Sequence, residues 1–277
     1  MSDIYDLHCH STASDGVLSP TELVQRASQH GVTHLSLTDH DTTQGLAEAQ
    51  ATADANGIHL INGIELSTNW QNHCFHIVGL GIDPLNPTLA AGIRNLQLIR
   101  TERAEQIAAK LAKNRIPGAL AAVKEIAGTG MITRTHFADF LLSQRHVSTQ
   151  QEAFDRYLGS GKPAYVSTTW AELKDAVSWI TEADGVAVLA HPLRYKLTAS
   201  RLRRLLTSFK DAGGQSMEIV TGRTNPDEIR RTSLFASQFQ LAGSVGSDFH
   251  NPANVWVELG RLAPLPKQIQ PVWELLH

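Results

Sequence analysis

The sequence predicts an α/β fold in which a parallel sheet closes, imperfectly, into a (β/α) barrel of about seven strands. Short apolar runs alternate with helical stretches at both ends of the chain. Six histidines and three carboxylates stand in or just after those runs: His8, His10, Asp15, His40, Glu65, His76, His191, Asp248 and His250. An open doubly wound sheet gathers its ligands in one crevice. Residues that follow six different strands meet only if the sheet curls round on itself.

The elements follow in order. Ile4–His8 alternates as a first strand, and Ser11–Gly16 is a polar loop. Ser19-Pro20-Thr21-Glu22 opens a helix, with Ser19 as N-cap, Pro20 at N1 and Glu22 at N3; it ends near Gly31. Thr33–Thr38 is the second strand, and a helix through Ala55 is stopped by Gly57. Ile58–Ile64 and Phe75–Leu80 are the third and fourth strands. The rhythm then breaks: Leu89–Asn114, Ala119–Gly128, Thr135–Gln144 and Gln150–Leu158 read as helices separated by glycine-rich turns. Alternation resumes with a helix at Trp170–Ala183, a strand at Gly185–Ala190, a helix at Ala199–Ala212, a strand at Met217–Val220, a helix at Pro226–Gln238 and a last strand at Leu241–Val245. The expected division is a discontinuous barrel of residues 1–86 and 160–277, with residues 87–159 inserted over its C-terminal rim, where long excursions shape pockets.

Composition narrows the functional classes. The 277 residues are 42% hydrophobic and 18% charged, enough to bury a large core. With 24 basic and 27 acidic residues the whole molecule is no polyanion binder, although a local basic pocket is compatible with net charge −3. No apolar run approaches a membrane span, and Met1-Ser2-Asp3-Ile4 has no basic leader, so a cytoplasmic enzyme is expected. Cys9 and Cys74 are expected to be unpaired packing residues, Cys9 pointing away from the side shared by His8 and His10.

Imidazoles and carboxylates without thiolate favour manganese, iron or zinc in a working site over a structural zinc site. A water activated by such cations is a suitable nucleophile for ester hydrolysis. Asp39 and Asp41 flank His40 and suit orienting roles, Asp41 alternatively capping the following helix. Arg134 and His136 open a helix, Lys162 follows the Gly159-Ser160-Gly161 turn, and Arg194 is tethered near the rim by His191. All suit a phosphate-bearing substrate.

The motifs His8-Cys9-His10 with Asp15, Thr38-Asp39-His40-Asp41, Gly63-Ile64-Glu65 with His76, His191-Pro192 and Asp248-Phe249-His250 together resemble the PHP family. That family, named for polymerase and histidinol phosphatase, comprises phosphoesterase relatives of the amidohydrolases. The resemblance covers nearly the whole chain and implies a distorted (β/α)7 barrel with three divalent metal ions, Mn2+ first and Zn2+ or Fe2+ as alternatives. It implies one site of His8, His10, Glu65 and Asp248, a second of Asp15, His40 and His250, and a third of His76 and His191 with Glu65 bridging. His191, Asp248 and His250 are expected to serve catalysis directly. Arg134-Thr135-His136, Phe154–Gly159 with Lys162–Tyr165, and His191–Tyr195 resemble a stand-alone bacterial subgroup acting on nucleotide phosphates. In that resemblance Arg134, Lys162 and Arg194 hold phosphates, and Tyr195 either stacks on a base or packs.

The expected activity is therefore metal-dependent removal of the 3′-phosphate from nucleoside 3′,5′-bisphosphates by hydroxide attack on phosphorus. Shortening of RNA from its 5′ end, and then a histidinol-phosphate-type phosphatase, are the alternatives; a metal-binding accessory protein with a degenerate site is the different class. The expected partner is a phosphorylated nucleotide or short RNA, with no membrane and no obligate protein.

Overall fold

The structure, a computed structural model, describes residues 3–276 apart from Asn72. Met1 and Ser2, on which the leader expectation partly rests, lie outside the described residues. Seven strands stand side by side in the order β1 (Tyr5–Cys9), β2 (His34–Leu37), β3 (His59–Trp70), β4 (His73–Leu80), β6 (Val186–Leu189), β7 (Ser216–Thr221) and β8 (Ala242–Gly246). A two-residue β5 (Ala171–Glu172) pairs with the end of β3. The sheet curls until its two edges meet: Cys9 bridges Phe249, His10 N–H donates to Phe249 O at 2.9 Å, and Asp248 N–H to His8 O at 2.7 Å. This is a distorted, nearly closed seven-stranded barrel with helices around it. Gly246 makes the closure possible, because a Cβ there would lie 2.3 Å from the Cβ of His8.

The sheet is not wholly parallel. β4 runs antiparallel to both neighbours, paired with β3 from Gly63↔Leu80 to Trp70↔His73 and with β6 from Ile77↔Leu189 to Leu80↔Val186. The cause lies in the chain between the third and fourth apolar runs, which is too short for the dozen or more residues of a parallel crossover. Instead β3 continues beyond Ile64 to Trp70 and turns back through Gln71, whose φ is 47°. Glu65 therefore sits within a strand rather than closing one. His76, early in a reversed strand, is opposite Ser67 at the same end of the barrel.

The helices follow the sequence closely. α1 (Pro20–Gln29) carries the Ser19 capping box, Ser19 Oγ accepting Glu22 N–H and Glu22 Oε2 accepting Ser19 N–H at 2.8 Å. α2 (Leu46–Asn56) ends at Gly57, left-handed at φ 68°. Between β4 and β5 the chain forms α3 (Pro87–Lys113), α4 (Ala119–Ala127), α5 (Arg134–Ser143) and α6 (Gln150–Ala153), the last running into a π-helical turn, Phe154–Leu158. α7 (Leu173–Glu182), α8 (Ala199–Asp211) and α9 (Pro226–Phe239) complete the barrel wall. The long α3 belongs to two cores. Leu89, Ile93 and Leu96 pack against Ile64, Ile77 and Ile180, whereas Ala104, Ile107 and Leu111 pack with Val123, Phe137 and Leu141. Among the described residues no helix is long and apolar enough to cross a membrane.

Candidate metal centre and active-site cleft

All nine predicted ligand-type residues converge at one end of the barrel. Glu65, fully buried, is the hub. Its Oε1 lies 3.4 Å from His8 Nε2, 3.0 Å from His76 Nδ1 and 3.1 Å from His191 Nε2; its Oε2 lies 3.4 Å from His10 Nε2 and 2.8 Å from His40 Nδ1. Asp248 Oδ1 faces His8, His10 and His250 at 3.4–3.6 Å. Asp15 Oδ1 lies 3.7 Å from His40 Nε2 and 3.4 Å from His250 Nε2.

Three overlapping groups bring their ligand atoms within 4.8 Å of one another: His8, His10 and Glu65; His10, Asp15, His40 and His250; and His40, Glu65 and His76. Asp15 Oδ1, His40 Nδ1, Glu65 Oε2, His76 Nδ1 and His191 Nδ1 are buried without a hydrogen-bond partner. Buried polar atoms normally find partners. Four of these five, Asp15 Oδ1, His40 Nδ1, Glu65 Oε2 and His76 Nδ1, face other ligand-type groups of the cluster and fit a donor set that shares cations rather than protons. The groupings differ from the implied sites in that Asp248 and His191 fall outside all three, and His10 and His40 each join two.

Charge follows this crowding. Burial opposes ionisation of Glu65, but the surrounding His76, His40 and His8 hold its carboxyl well below the usual range. Burial likewise opposes charge on His76, which the Glu65 carboxylate nevertheless pushes up to about 10. His10 goes the other way, to about 3, because burial and the charges of His250 and His40 disfavour its cation. A neutral His10 is ready to offer a lone pair.

The rim backbone is strained where it presents these groups. His191 has φ 29°, Asp248 φ 56° and Asp41 φ 51°, left-handed values uncommon for side-chain-bearing residues and frequent at functional sites. Asp39 accepts from Ser11 N and from the hydroxyls of Ser11 and Ser14 at 2.6–2.8 Å, and so ties down the loop that carries Asp15. Asp41 neither caps α2, whose N-cap is Gly45, nor contacts His40 through its carboxylate. It accepts from Ser67 N at 2.7 Å and from the buried Arg100 Nε at 2.6 Å.

A cleft of about 370 Å³ opens from the cluster, lined by Asp15, His40, His76 and His250 together with Arg100, Arg103 and Arg134. Arg100 and Arg103 both lie over the Trp170 ring, each guanidinium carbon 5.2 Å from its centroid. Burial, then the charges of Arg134 and Arg100, pull the Arg103 guanidinium down to about 9, and its Nε has no partner. Arg103, crowded by two other arginines, thus stands where an anion would be needed. The other predicted substrate contacts lie elsewhere. His136 is buried as the N3 member of the α5 capping box, its Nδ1 accepting Thr133 N–H at 3.0 Å. Lys162 is exposed on its turn and does not line the cleft. Arg194 pairs with Asp248, and Tyr195 packs edge-on against Phe75 while its hydroxyl accepts His76 N–H at 2.9 Å. Cys9 is buried as expected. Cys74 is not a packing residue: it is exposed and lines the cleft, because it alternates with buried Phe75 on β4.

Sequence reading missed three residues that the structure places at the site. Glu218 Oε1 accepts from His8 Nδ1 at 2.6 Å, and its Oε2 accepts His191 N–H at 2.5 Å. Its signal was a lone carboxylate inside the apolar run Met217–Val220. Arg100 falls on the buried stripe Leu89, Ile93, Leu96, Ala104, Ile107 of α3, and Arg103 stands one turn on.

A barrel rim of clustered imidazoles and carboxylates beside an arginine-lined cleft defines a metal-dependent hydrolase of phosphate esters. The profile of the PHP domain matches residues 6–183. The chain belongs to the PHP family of metal-dependent phosphoesterases, as the sequence motifs led us to expect. It is 46% identical to a 5′-3′ exoribonuclease of Haemophilus influenzae over 99% of both chains. It is 44% identical to a 3′,5′-nucleoside bisphosphate phosphatase of Chromobacterium violaceum, covering 98% of this chain and 96% of that one. A solved amidohydrolase from C. violaceum, holding sulfate and no metal, superposes with a TM-score of 0.93 at 44% identity, over 98% of this chain and 95% of that one. A metal-dependent phosphoesterase from Bifidobacterium adolescentis, 24% identical, shares the fold with a TM-score of 0.83 over 99% and 96% of the two chains.

Proposed function

We propose that this protein removes the 3′-phosphate of nucleoside 3′,5′-bisphosphates, leaving the 5′-mononucleotide and inorganic phosphate. One observation carries the reading: the arginine cleft opens directly onto the metal-type cluster, so a substrate with two phosphates can engage both. His8, His10, Glu65 and Asp248 would hold one cation, Asp15, His40 and His250 a second, and His76 and His191 with Glu65 a third. Bound Mn2+ would supply positive charge for the phosphoryl oxygens and lower the pKa of a water.

The chain's own groups do the rest. Arg103 and Arg134 bind the 5′-phosphate, and the cleft seats the nucleoside between these arginines and the cluster. Asp39 and Glu218 hold the loop of Asp15 and the ring of His8 in place. In the overall reaction water oxygen joins phosphorus, the P–O3′ bond breaks, and a proton ends on the 3′-oxygen. His191, Asp248 and His250, at the strained rim, are the residues assigned to this step. The unpaired cysteines suit a reducing cytoplasm.

Shortening of RNA from a 5′-phosphorylated end is the second reading. It breaks the same P–O3′ bond, and a further pocket on the far side of the cluster favours it. Phosphate release with Mn2+ from adenosine 3′,5′-bisphosphate, beside 5′-AMP, 3′-AMP, histidinol phosphate and a short 5′-phosphorylated RNA, tests both. Arg103→Ala should lower kcat/KM for the bisphosphate by about 10- to 100-fold, the worth of charge-assisted hydrogen bonds, and leave 3′-AMP little changed. A wild-type protein that ignores the bisphosphate ends the first reading.

A further inference from the structure

The cluster is flanked by two pockets rather than one. The arginine cleft reaches it past His40, His76 and His250. A second pocket of about 170 Å³ reaches it from the other side, past His191, Glu218 and Arg194, and runs out along Thr221, Arg223 and Thr224. The loop after β7 lines its outer part and packs tightly against the loop after β8: a Cβ at Gly222 would lie 2.4 Å from Ser247 O and 3.0 Å from Val257 Cγ1. That packing sets Arg223 beside Trp256, its guanidinium carbon 6.0 Å from the ring centroid.

Trp256 is 72% exposed and its neighbour Val255 74% exposed. A tryptophan left in water forgoes a large burial gain, so this one is placed for something other than folding. The charges lining the second pocket are already committed, except one. Glu218 is held by His8 and His191, Glu228 caps α9 through Asn225, and Arg194 pairs with Asp248. Arg223 has no ion pair among the described residues. A free guanidinium over an exposed indole, continuous with a phosphoesterase centre, matches a nucleotide: a phosphate for the cation and a base for the ring face.

From this juxtaposition we infer that Trp256 and Arg223 bind the nucleotide on the 3′ side of the scissile phosphate when the substrate is a single-stranded oligonucleotide. The inference rests on the function proposed above and deepens it. With the 5′-phosphate in the arginine cleft and the 3′-phosphate at the cluster, whatever follows that phosphate must leave on the opposite side. A bisphosphate has nothing to place there, so the platform separates diester from monoester substrates.

The test compares wild type, Trp256→Ala, Trp256→Phe and Arg223→Ala with Mn2+ on adenosine 3′,5′-bisphosphate and on 5′-phosphorylated di- and tetraribonucleotides. Trp256→Ala should lose about 5- to 100-fold in kcat/KM on both oligonucleotides, the usual effect of removing one stacked base contact. It should stay within about twofold of wild type on the bisphosphate. Trp256→Phe should recover most of the loss, and Arg223→Ala should weaken oligonucleotide turnover with a salt slope reduced by about one. Equal losses on both substrate classes, undiminished oligonucleotide turnover, or a wild type that hydrolyses only the bisphosphate would overturn the inference while leaving the phosphatase reading intact. A wild type inert on both removes the proposed function and the platform with it.

Discussion

Replacing Glu218 by glutamine separates an orienting carboxylate from a spectator. Both of its oxygens accept: one takes His8 Nδ1–H at 2.6 Å, the other His191 N–H at 2.5 Å. A glutamine of the same shape has one acceptor and one donor end, so one of its two neighbours must lose its bond. The His191 amide cannot change sign. The carboxamide therefore turns its NH2 towards His8, whose Nδ1 must then accept and whose proton moves to Nε2. That nitrogen is the one facing Glu65 and Asp248, at 3.4 and 3.6 Å, where a cation needs a lone pair. Partners that orient a metal-binding histidine in this way are worth 10- to 100-fold in metal affinity or activity, or about 1.4–2.8 kcal/mol. Phosphate release titrated with Mn2+ should show a correspondingly higher half-saturating metal concentration, with activity partly restored by excess metal. In the metal-free protein the same change breaks the buried His8–Glu218 pair, so the variant should also melt below metal-free wild type. A Glu218→Gln protein with the wild-type metal titration would refute the argument.

Two other expectations follow from the same geometry. Chelation should lower Tm, because cations bind the folded cluster alone: each independently filled site contributes about 2.7 kcal/mol at a hundredfold excess over Kd. For a chain of this size that is about 5–10 °C per site, and identical melting in EDTA and in Mn2+ would remove the metal assignment. Gly246→Ala should force β8 off β1 where the barrel closes. Overpacking of this kind costs about 1–3 kcal/mol, or about 2–10 °C in Tm. Activity should fall further than stability because His8 is the atom group displaced; a variant with normal Tm and turnover would show that the edges do not meet as described.

The positions of the ligands were legible because chemistry and periodicity coincide there. His8 and His10 share one side of β1, and His40, His191 and His250 follow short apolar runs that could only be strands. The direction of β4 was less visible. The run Glu65–Trp70 mixes polar and apolar residues, and a strand with one face in a polar cleft resembles a loop when read by hydropathy alone. The short spacing before Phe75 held the answer, since it excludes a parallel crossover. Lys162 and His136 lie close to the motif but do not line the cleft: one is exposed on a turn, the other is held in the α5 capping box. Arg100 and Glu218 were hidden by their surroundings. Each is a charge inside an apolar pattern, and such a charge stays buried only with dedicated partners.

Arg100 also explains how α3 and the barrel rim act as one site. Its guanidinium joins Asp41 at 2.6 Å and Ser67 Oγ at 3.0 Å, while Gln97, one turn earlier on α3, donates to Asp41 O at 3.1 Å. Asp41 adjoins His40, and Ser67 lies two residues beyond Glu65; His40 and Glu65 themselves form a parallel bridge. The helix that carries Arg103 is thus pinned to the same two backbone segments that carry the hub of the cluster. The pin is a buried ion pair, which is costly to break from one side and tolerates little change of length. It fixes the span between the arginine clamp and the cluster at a constant value. A nucleotide reaches both ends only if its two phosphates match that span, whatever its base. Discrimination in the proposed reaction would then be set by phosphate spacing on the clamp side and by the presence or absence of a following nucleotide on the Trp256 side.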